Sequence, residues 1–413
     1  MIHAHERIRL KPIYPLYPSG ARTFRIGAQA ELTIELEDDA DGKFITLCRM
    51  LDGRRTAAEV IAEMRSSFPT VSETDLMQVL AGLDNERVLE RVQRTDYDIV
   101  GHPKHRYLSN VNYFSAYDTI ASRRGEVQDK LLRSSVLLLG LGAGGSHILT
   151  QLASIGIGRI RCVDYDRVAL TNLNRQILYS ESDIGKTKTE ASLRRIGEYN
   201  SRIDVEVVSR KIVAEADLED LTAGVDLMIC AIDEPPFLAQ LIVNQVSVRR
   251  NIPCVYGMSQ VTSGRYFTVL PKSSGCVGCL VVHYTKHDPQ FVDQFIAFQD
   301  QNFELPTLSF APDVARLCGN IASEVVRVLT NYLPPSGVGK QVELSFETNT
   351  TKVLTEWPRY PDECPVCGAG VEDDWEVFRF LAQRKQRRGL ANVQPKHVSP
   401  GERRPVTGGV TLP

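Results

Sequence analysis

A chain of 413 residues, 43% hydrophobic and 24% charged, has length for two or three domains that each bury a core, which excludes a small cross-linked fold. Its formal net charge of -3 excludes bulk attraction to nucleic acid. No stretch reaches about 18 uninterrupted apolar residues, and residues 1–20 carry Pro12, Pro15 and Pro18 where a secretion signal needs an apolar run, so the expected location is the cytoplasm.

Residues 1–100 read as a small α+β module. Strand-like runs at 23–26 and 31–36 precede helical patterns near 42–51, 57–64 and 73–88. Val60, Ile61, Met64 and Leu76, Val79, Leu80, Leu83 keep the spacing of a buried helix face. The order resembles a winged-helix module, and His102-Pro103-Lys104-His105 reads as the linker that follows it. From Ser134 strands and helices alternate. Strands are expected at 136–140, 159–164, 205–209, 225–231 and 253–257, with helices at 144–155, 186–199 and 236–249. Strands this apolar, joined by helices, predict a parallel sheet covered on both faces. The expected class is therefore α/β, a Rossmann-like, mostly parallel sheet behind an N-terminal winged-helix domain. Residues 265–270 and 341–355 read as antiparallel additions, 314–329 as a long helix, and 288–307 as a crossover loop. After Val377 the chain reads as fraying. Arg384, Lys385, Arg387, Arg388, Lys396, Arg403 and Arg404 face only Glu402, so the expected divisions are 1–100, 101–375 and a flexible basic tail, 376–413.

The segment Gly140-Leu-Gly-Ala-Gly-Gly145 follows a predicted strand and opens a predicted helix. Glycines at 140, 142 and 145 let the backbone turn tightly, so that free N–H groups and the helix dipole meet phosphate oxygens. Taken alone, the motif serves NAD, FAD and ATP enzymes alike, and its glycines equally serve close helix–strand packing. Asp164 ends the next strand, where an acceptor meets ribose hydroxyls. Arg175 and Lys188 favour ATP, because nucleotidyl transfer must neutralise charge on a departing pyrophosphate whereas hydride transfer has no such need. Asp233 follows the strand at 225–231, at the sheet edge where open α/β folds bind ligands. There it suits magnesium; with Glu234-Pro235-Pro236 behind it, a helix-capping role is the rival.

Nine cysteines include the pairs Cys276-Val-Gly-Cys279 and Cys364-Pro-Val-Cys367. Two such knuckles supply a closed tetrahedral zinc shell, hence a structural metal; a redox role for either pair is the weaker reading. Cys48, Cys162, Cys230, Cys254 and Cys318 fall in apolar segments and read as inert thiols. His147 and His283 read as structural, although His147 directly follows the glycine segment.

The glycine segment, Asp164-Tyr-Asp166, Asn172-Leu-Asn-Arg-Gln176, Gly185-Lys-Thr-Lys188, Asp233 and both cysteine pairs together resemble the adenylating enzymes of the ThiF, MoeB and ubiquitin-activating superfamily. The resemblance covers about residues 104–370. It implies ATP with magnesium, ribose contact by Asp164, phosphate contacts by Asn172, Arg175 and Lys188 with support from Gln176, and magnesium binding by Asp233. Ala143 departs from the family's usual glycine. The family's RYxR pattern, which donates an arginine across a homodimer, stands here as Arg106-Tyr107-Leu108-Ser109. Either Arg106, Arg123 or Arg124 substitutes for the missing arginine, or that contact is lost. With its N-terminal module, the chain is similar to the MccB-like and PaaA-like branch, which implies a ribosomal precursor peptide as partner and activation of either its C-terminal or a side-chain carboxylate. A scaffold role for the module, and activation of a ubiquitin-like sulfur carrier, remain the alternatives.

Overall fold

The computed structural model of the chain describes residues 2–27, 33–232, 237–300 and 308–391, without the side chains of 298–300 and 384–391. At the N-terminus lie β1 (Arg7–Leu10), β2 (Leu16–Pro18), β3 (Thr23–Ile26), β4 (Ile34–Glu37), α1 (Lys43–Met50), β5 (Asp52–Thr56), α2 (Ala57–Ser67), α3 (Glu73–Asn85) and β6 (Leu89–Arg91). The strands make two antiparallel three-stranded sheets, ordered β5-β1-β6 and β2-β3-β4. Thr56 with Glu59, and Ser72 with Asp75, close reciprocal capping boxes that start α2 and α3 where the sequence places them. Ile8, Phe24, Ile26, Val60, Met64, Leu80 and Leu89 share one core, which also takes in Ile120 from beyond the module. Lys11, 1% exposed, bridges that junction by donating to the carbonyls of Arg87 at 2.5 Å and Asp118 at 2.6 Å.

After α4 (Leu108–Ser115) and α5 (Glu126–Arg133) come β7 (Ser135–Leu139), α6 (Ala143–Ile155), β8 (Arg159–Val163), α7 (Lys188–Tyr199), β9 (Asp204–Val208), β10 (Leu227–Cys230), α8 (Leu238–Arg250), β11 (Cys254–Ser259) and β12 (Ser263–Val269). Then follow α9 (Val277–His287), α10 (Phe291–Asp300), α11 (Ala311–Thr330), β13 (Lys340–Ser345), β14 (Thr351–Glu356) and α12 (Glu376–Ala391). Eight strands form one sheet, ordered β14-β13-β12-β11-β10-β7-β8-β9, parallel from β11 to β9 and antiparallel from β11 to β14. Val136 and Leu138 face one core with Leu149 of α6 and Leu317 of α11, while Leu137 and Leu139 face another with Ile242 of α8 and Val281 of α9. This period of two, buried on both sides, explains why β7 reads as an unbroken apolar run.

Two expectations are corrected. The crossover loop at 288–307 contains α10, whose Phe291 and Phe295 sit one turn apart and meet the rings of Tyr284 and Phe237, so packing on aromatic neighbours outweighs a weakly periodic sequence. Residues 301–307 lie outside the described residues. The tail expected to fray begins with α12, which buries Val377, Phe378 and Leu381 in the second core. Counting charge along the segment hid this apolar stripe; residues 392–413 lie outside the described residues. Among the described residues, no helix is long and apolar enough to cross a membrane.

Candidate active site

The chain order of β7, β8 and β9 to one side and β10 and β11 to the other puts the topological switch beside β7, where open α/β sheets take ligands at the carboxyl ends of their strands. The glycine segment leaves β7 at that point. Gly140 has φ +95°, and a Cβ there would come within 2.6 Å of the Ala231 carbonyl oxygen at the end of β10. A Cβ on Gly145 would stand 1.9 Å from the Gly140 carbonyl oxygen, so the first turn of α6 sits directly on the loop. Gly142, the N-cap of α6, has no atom within 4 Å of such a Cβ, which leaves the helix N-terminus open for an anion. Ala143 opens the helix without disturbing this arrangement.

Asp164 lies just past β8 and is 9% exposed. One carboxylate oxygen accepts from the Leu141 N–H at 2.7 Å and the other from the Asp166 N–H at 2.8 Å. The residue expected to meet the ribose therefore also pins the glycine loop, with lone pairs left over, since an ionised carboxylate accepts about four hydrogen bonds. Lys188, the first residue of α7, is 5% exposed; its Nζ is 2.8 Å from Asp166 Oδ2 and 4.0 Å from Asp164 Oδ2. A backbone bond from Lys188 N–H to the Asp166 carbonyl fixes the pairing. Asp166, given no role in the sequence, is thus the lysine's partner, and its place in Asp164-Tyr-Asp166 was the available signal.

Asn172 accepts from the Ala169 N–H at 3.0 Å and so shapes its own turn. Its carbonyl takes the N–H groups of Arg175 and Gln176. The half-buried Arg175 guanidinium donates to the Thr171 carbonyl at 2.7 Å and to Asn174 Oδ1 at 2.9 Å. Gln176 is 3% exposed, and its Oε1 has no hydrogen-bond partner among the described residues. The loop and sheet rim thus gather Gly140, Gly142, Gly145, Asp164 and Lys188, with Asn172, Arg175 and Gln176 on the adjoining turn. Asp233 lies outside the described residues.

Arg106 donates to the Tyr199 carbonyl at 2.7 Å and lies over the Tyr199 ring. Arg123 pairs with Asp129, and Arg124 with Asp98. All three candidates for the missing arginine are therefore engaged within their own chain. Tyr107 is buried and takes a bond from Asn200 at 3.0 Å, a packing role.

Cys276, Cys279, Cys364 and Cys367 converge, their four Sγ atoms all within 4.8 Å of one another. Cys276 and Cys364 stand 3.7 Å apart and Cys279 and Cys367 3.3 Å apart. Zn–S bonds of about 2.3 Å in a tetrahedron place sulfurs about 3.8 Å apart, so the donor set fits zinc. Backbone N–H groups of Tyr360 and Val366 point at Cys279 and Cys364 sulfurs, the outer-shell pattern that favours thiolates. A metal here would tie the start of α9 to the segment after β14. By contrast, burial pushes the Cys48 and Cys318 thiols up to about 12 and raises Cys162 and Cys254 too, which makes them poor nucleophiles.

A Rossmann-like sheet with a nucleotide-binding rim and a four-cysteine centre defines a class of adenylating enzymes. The ThiF family model matches residues 116–366, more than half of the chain, which therefore belongs to the ThiF family and is a ThiF-family adenylyltransferase. It is similar to the sulfur carrier protein ThiS adenylyltransferase of Bacillus subtilis, 35% identical over 37% of this chain and 46% of that one, so the match spans about half of that relative's length. To the sulfur carrier protein adenylyltransferase of Thermus thermophilus it is 32% identical over 59% of this chain and 85% of that one. Among solved structures it shares its fold with Escherichia coli MccB in complex with AMPCPP and MccA, at TM-score 0.69 and 23% identity, over 87% of this chain and 99% of that one. PaaA follows at TM-score 0.64 and 23% identity, over 85% and 100%.

Proposed function

We propose that the protein adenylates a carboxylate of a ribosomally made precursor peptide, in the making of a modified peptide natural product. The observation that carries this reading is the N-terminal α+β module: the fold shared with MccB extends over 87% of the chain, well beyond the 116–366 family segment, and MccB was crystallised with MccA. Residues 1–100 would hold the peptide by adding it as a strand to a sheet edge, residues 101–375 would carry the chemistry, and a homodimer would be the working unit. An ionised carboxylate oxygen attacks the α-phosphorus of ATP. The P–O bond to the β-phosphate breaks, pyrophosphate departs, and an acyl adenylate remains; no proton moves, so no general base is needed. Gly140, Gly142 and Gly145 would cradle phosphate, Asp164 would take the ribose hydroxyls, and Asn172, Arg175, Gln176 and Lys188 would share the phosphate charge. Asp233 would hold magnesium, and the four cysteines zinc.

The test incubates the full-length protein with MgATP and, in turn, each synthetic peptide matching a short reading frame found beside its gene, and follows pyrophosphate. The expected outcome is peptide-dependent release that falls by at least about 100-fold in Asp233→Ala. A second reading, activation of a sulfur carrier, is favoured by the sequence identity to ThiS adenylyltransferases. Release that depends on a ubiquitin-like protein ending in Gly-Gly, and not on the peptide, would replace the first reading with the second.

A further inference from the structure

His283 and His287 lie one turn apart near the end of α9, so both side chains leave the same face of the helix. His283 is half-buried and His287 exposed. Their ring centroids are 4.6 Å apart and the ring planes cross at 47°. With a metal–nitrogen bond of about 2.1 Å, an imidazole centroid stands about 3.2 Å from a bound ion, so two rings on one ion lie about 4.5 Å apart at a right angle and about 5.2 Å apart at the tetrahedral angle. The spacing of His283 and His287 falls inside that range. The other stacked pair, His3 and His5 at 5.9 Å, falls outside it.

Tyr360 decides which nitrogen of His283 is left over. Its hydroxyl oxygen stands 3.0 Å from Nδ1, so Nε2 remains as the ligand atom. With a metal on Nε2, Nδ1–H donates to the Tyr360 oxygen, the outer partner that fixes ring and tautomer in metal-binding histidines. Burial first, and then His287 beside it, hold His283 below its usual pKa, which favours the neutral ring a metal needs. The opposing charge is Lys286, 5.0 Å from the centre of the Tyr360 ring, but it is paired with Glu363 at 2.5 Å. Among the described residues no third His, Cys, Asp or Glu joins the pair, so water would complete the shell. The site is therefore open, unlike the closed set of four thiolates that includes Cys279, one turn earlier on the same helix.

We propose that His283 and His287, oriented by Tyr360, form a second metal site, exchangeable and separate from the four-cysteine centre, for a divalent transition metal such as zinc. Two imidazoles select zinc, nickel or copper over magnesium and calcium, which prefer oxygen. The site stands apart from the adenylation reading and does not depend on it.

The decisive experiment loads the full-length protein with zinc, removes the excess, and titrates it with cobalt while absorption is recorded. One further equivalent of cobalt per chain is expected, with the weak spectrum of nitrogen and oxygen ligands and no thiolate charge-transfer band. Zinc should displace it, and magnesium at the same concentration should not. His283→Ala and His287→Ala should each weaken this binding by at least about 10-fold while the first zinc is retained and the melting temperature stays unchanged. Tyr360→Phe removes the hydroxyl but keeps the backbone N–H that points at the Cys279 sulfur, so it should weaken cobalt binding by about 10-fold without releasing the first zinc. Replacing His3 and His5 together by alanine should change nothing. Absence of a further equivalent, binding that survives both His283→Ala and His287→Ala, binding lost with His3 and His5, or a thiolate band on adding cobalt each overturns the proposal.

Discussion

Asp183 shows how a single buried side chain can organise the turn that leads into α7. It is fully buried and takes hydrogen bonds from Lys186, from both the N–H and hydroxyl of Ser180, and from Arg194 at 2.9 Å to each oxygen. Burial by itself drives its carboxyl pKa upward, but the hydrogen bonds of Lys186, Ser180 and Arg194 outweigh it and hold the group well below the usual carboxylate range. A carboxyl depressed in the folded state adds stability above its unfolded pKa of about 3.9, and that stability is lost as pH falls through the folded value. Asp183→Asn should therefore lower the unfolding free energy at pH 7 by about 1–3 kcal/mol, discounted because Lys186 and Arg194 are about half exposed. The gap to wild type should close as urea titrations are moved below pH 4. Because Lys188 follows five residues later, the same variant should bind ATP more weakly; unchanged affinity would separate this clamp from the site. No motif marks Asp183 in the sequence, since its importance comes from burial, and burial is a property of the fold.

At the level of elements, the cysteine centre makes the clearest demand. A closed thiolate shell would join α9 to the chain after β14, and chelation or Cys364→Ser should release zinc, lower the melting temperature by several degrees and loosen α12, which packs on the same core. Metal analysis beside thermal melting checks this, and a metal-free protein with an unchanged melting point would contradict it. Legibility followed the same physics. Strands β7 and β10 were readable because burial on two faces makes them almost uniformly apolar, and α2 and α3 because their buried residues repeat at helical spacing. Strand β5, Asp52-Gly-Arg-Arg-Thr56, was not readable: it is polar, partly exposed and set by pairing with β1, a partner some 45 residues earlier. Helix α9 was hidden inside the Cys276 knuckle, where the metal spacing drew the eye from an apolar helix. For the site, the clustering of the glycine segment with Asp164 and Lys188, and of the four cysteines, follows spacings that the sequence displays, whereas the pairing of Asp166 with Lys188 depends on two loops meeting at the sheet rim.

The whole molecule turns on how its N-terminal module meets the sheet domain. Lys11 is almost wholly enclosed, and burial pushes its ammonium pKa down from 10.5 to about 8. For a base depressed in the folded state, the unfolded chain binds more protons between those two values, so stability rises with pH across that window. Measured against Lys11→Met, the wild-type unfolding free energy should gain on the order of 2–3 kcal/mol between pH 8 and 10.5. A flat difference would show that the amine is solvated. At lower pH the charged amine is tolerated because two carbonyl oxygens, one from each side of the junction, receive it.

That doubly received amine, backed by Ile120 seated in the module's core, makes the junction a weld instead of a tether. A chain gripped on one side and reacted on the other would then be read by its length, like cloth against a fixed yardstick. Inserting or deleting spacer residues would change which carboxyl group reaches the nucleotide.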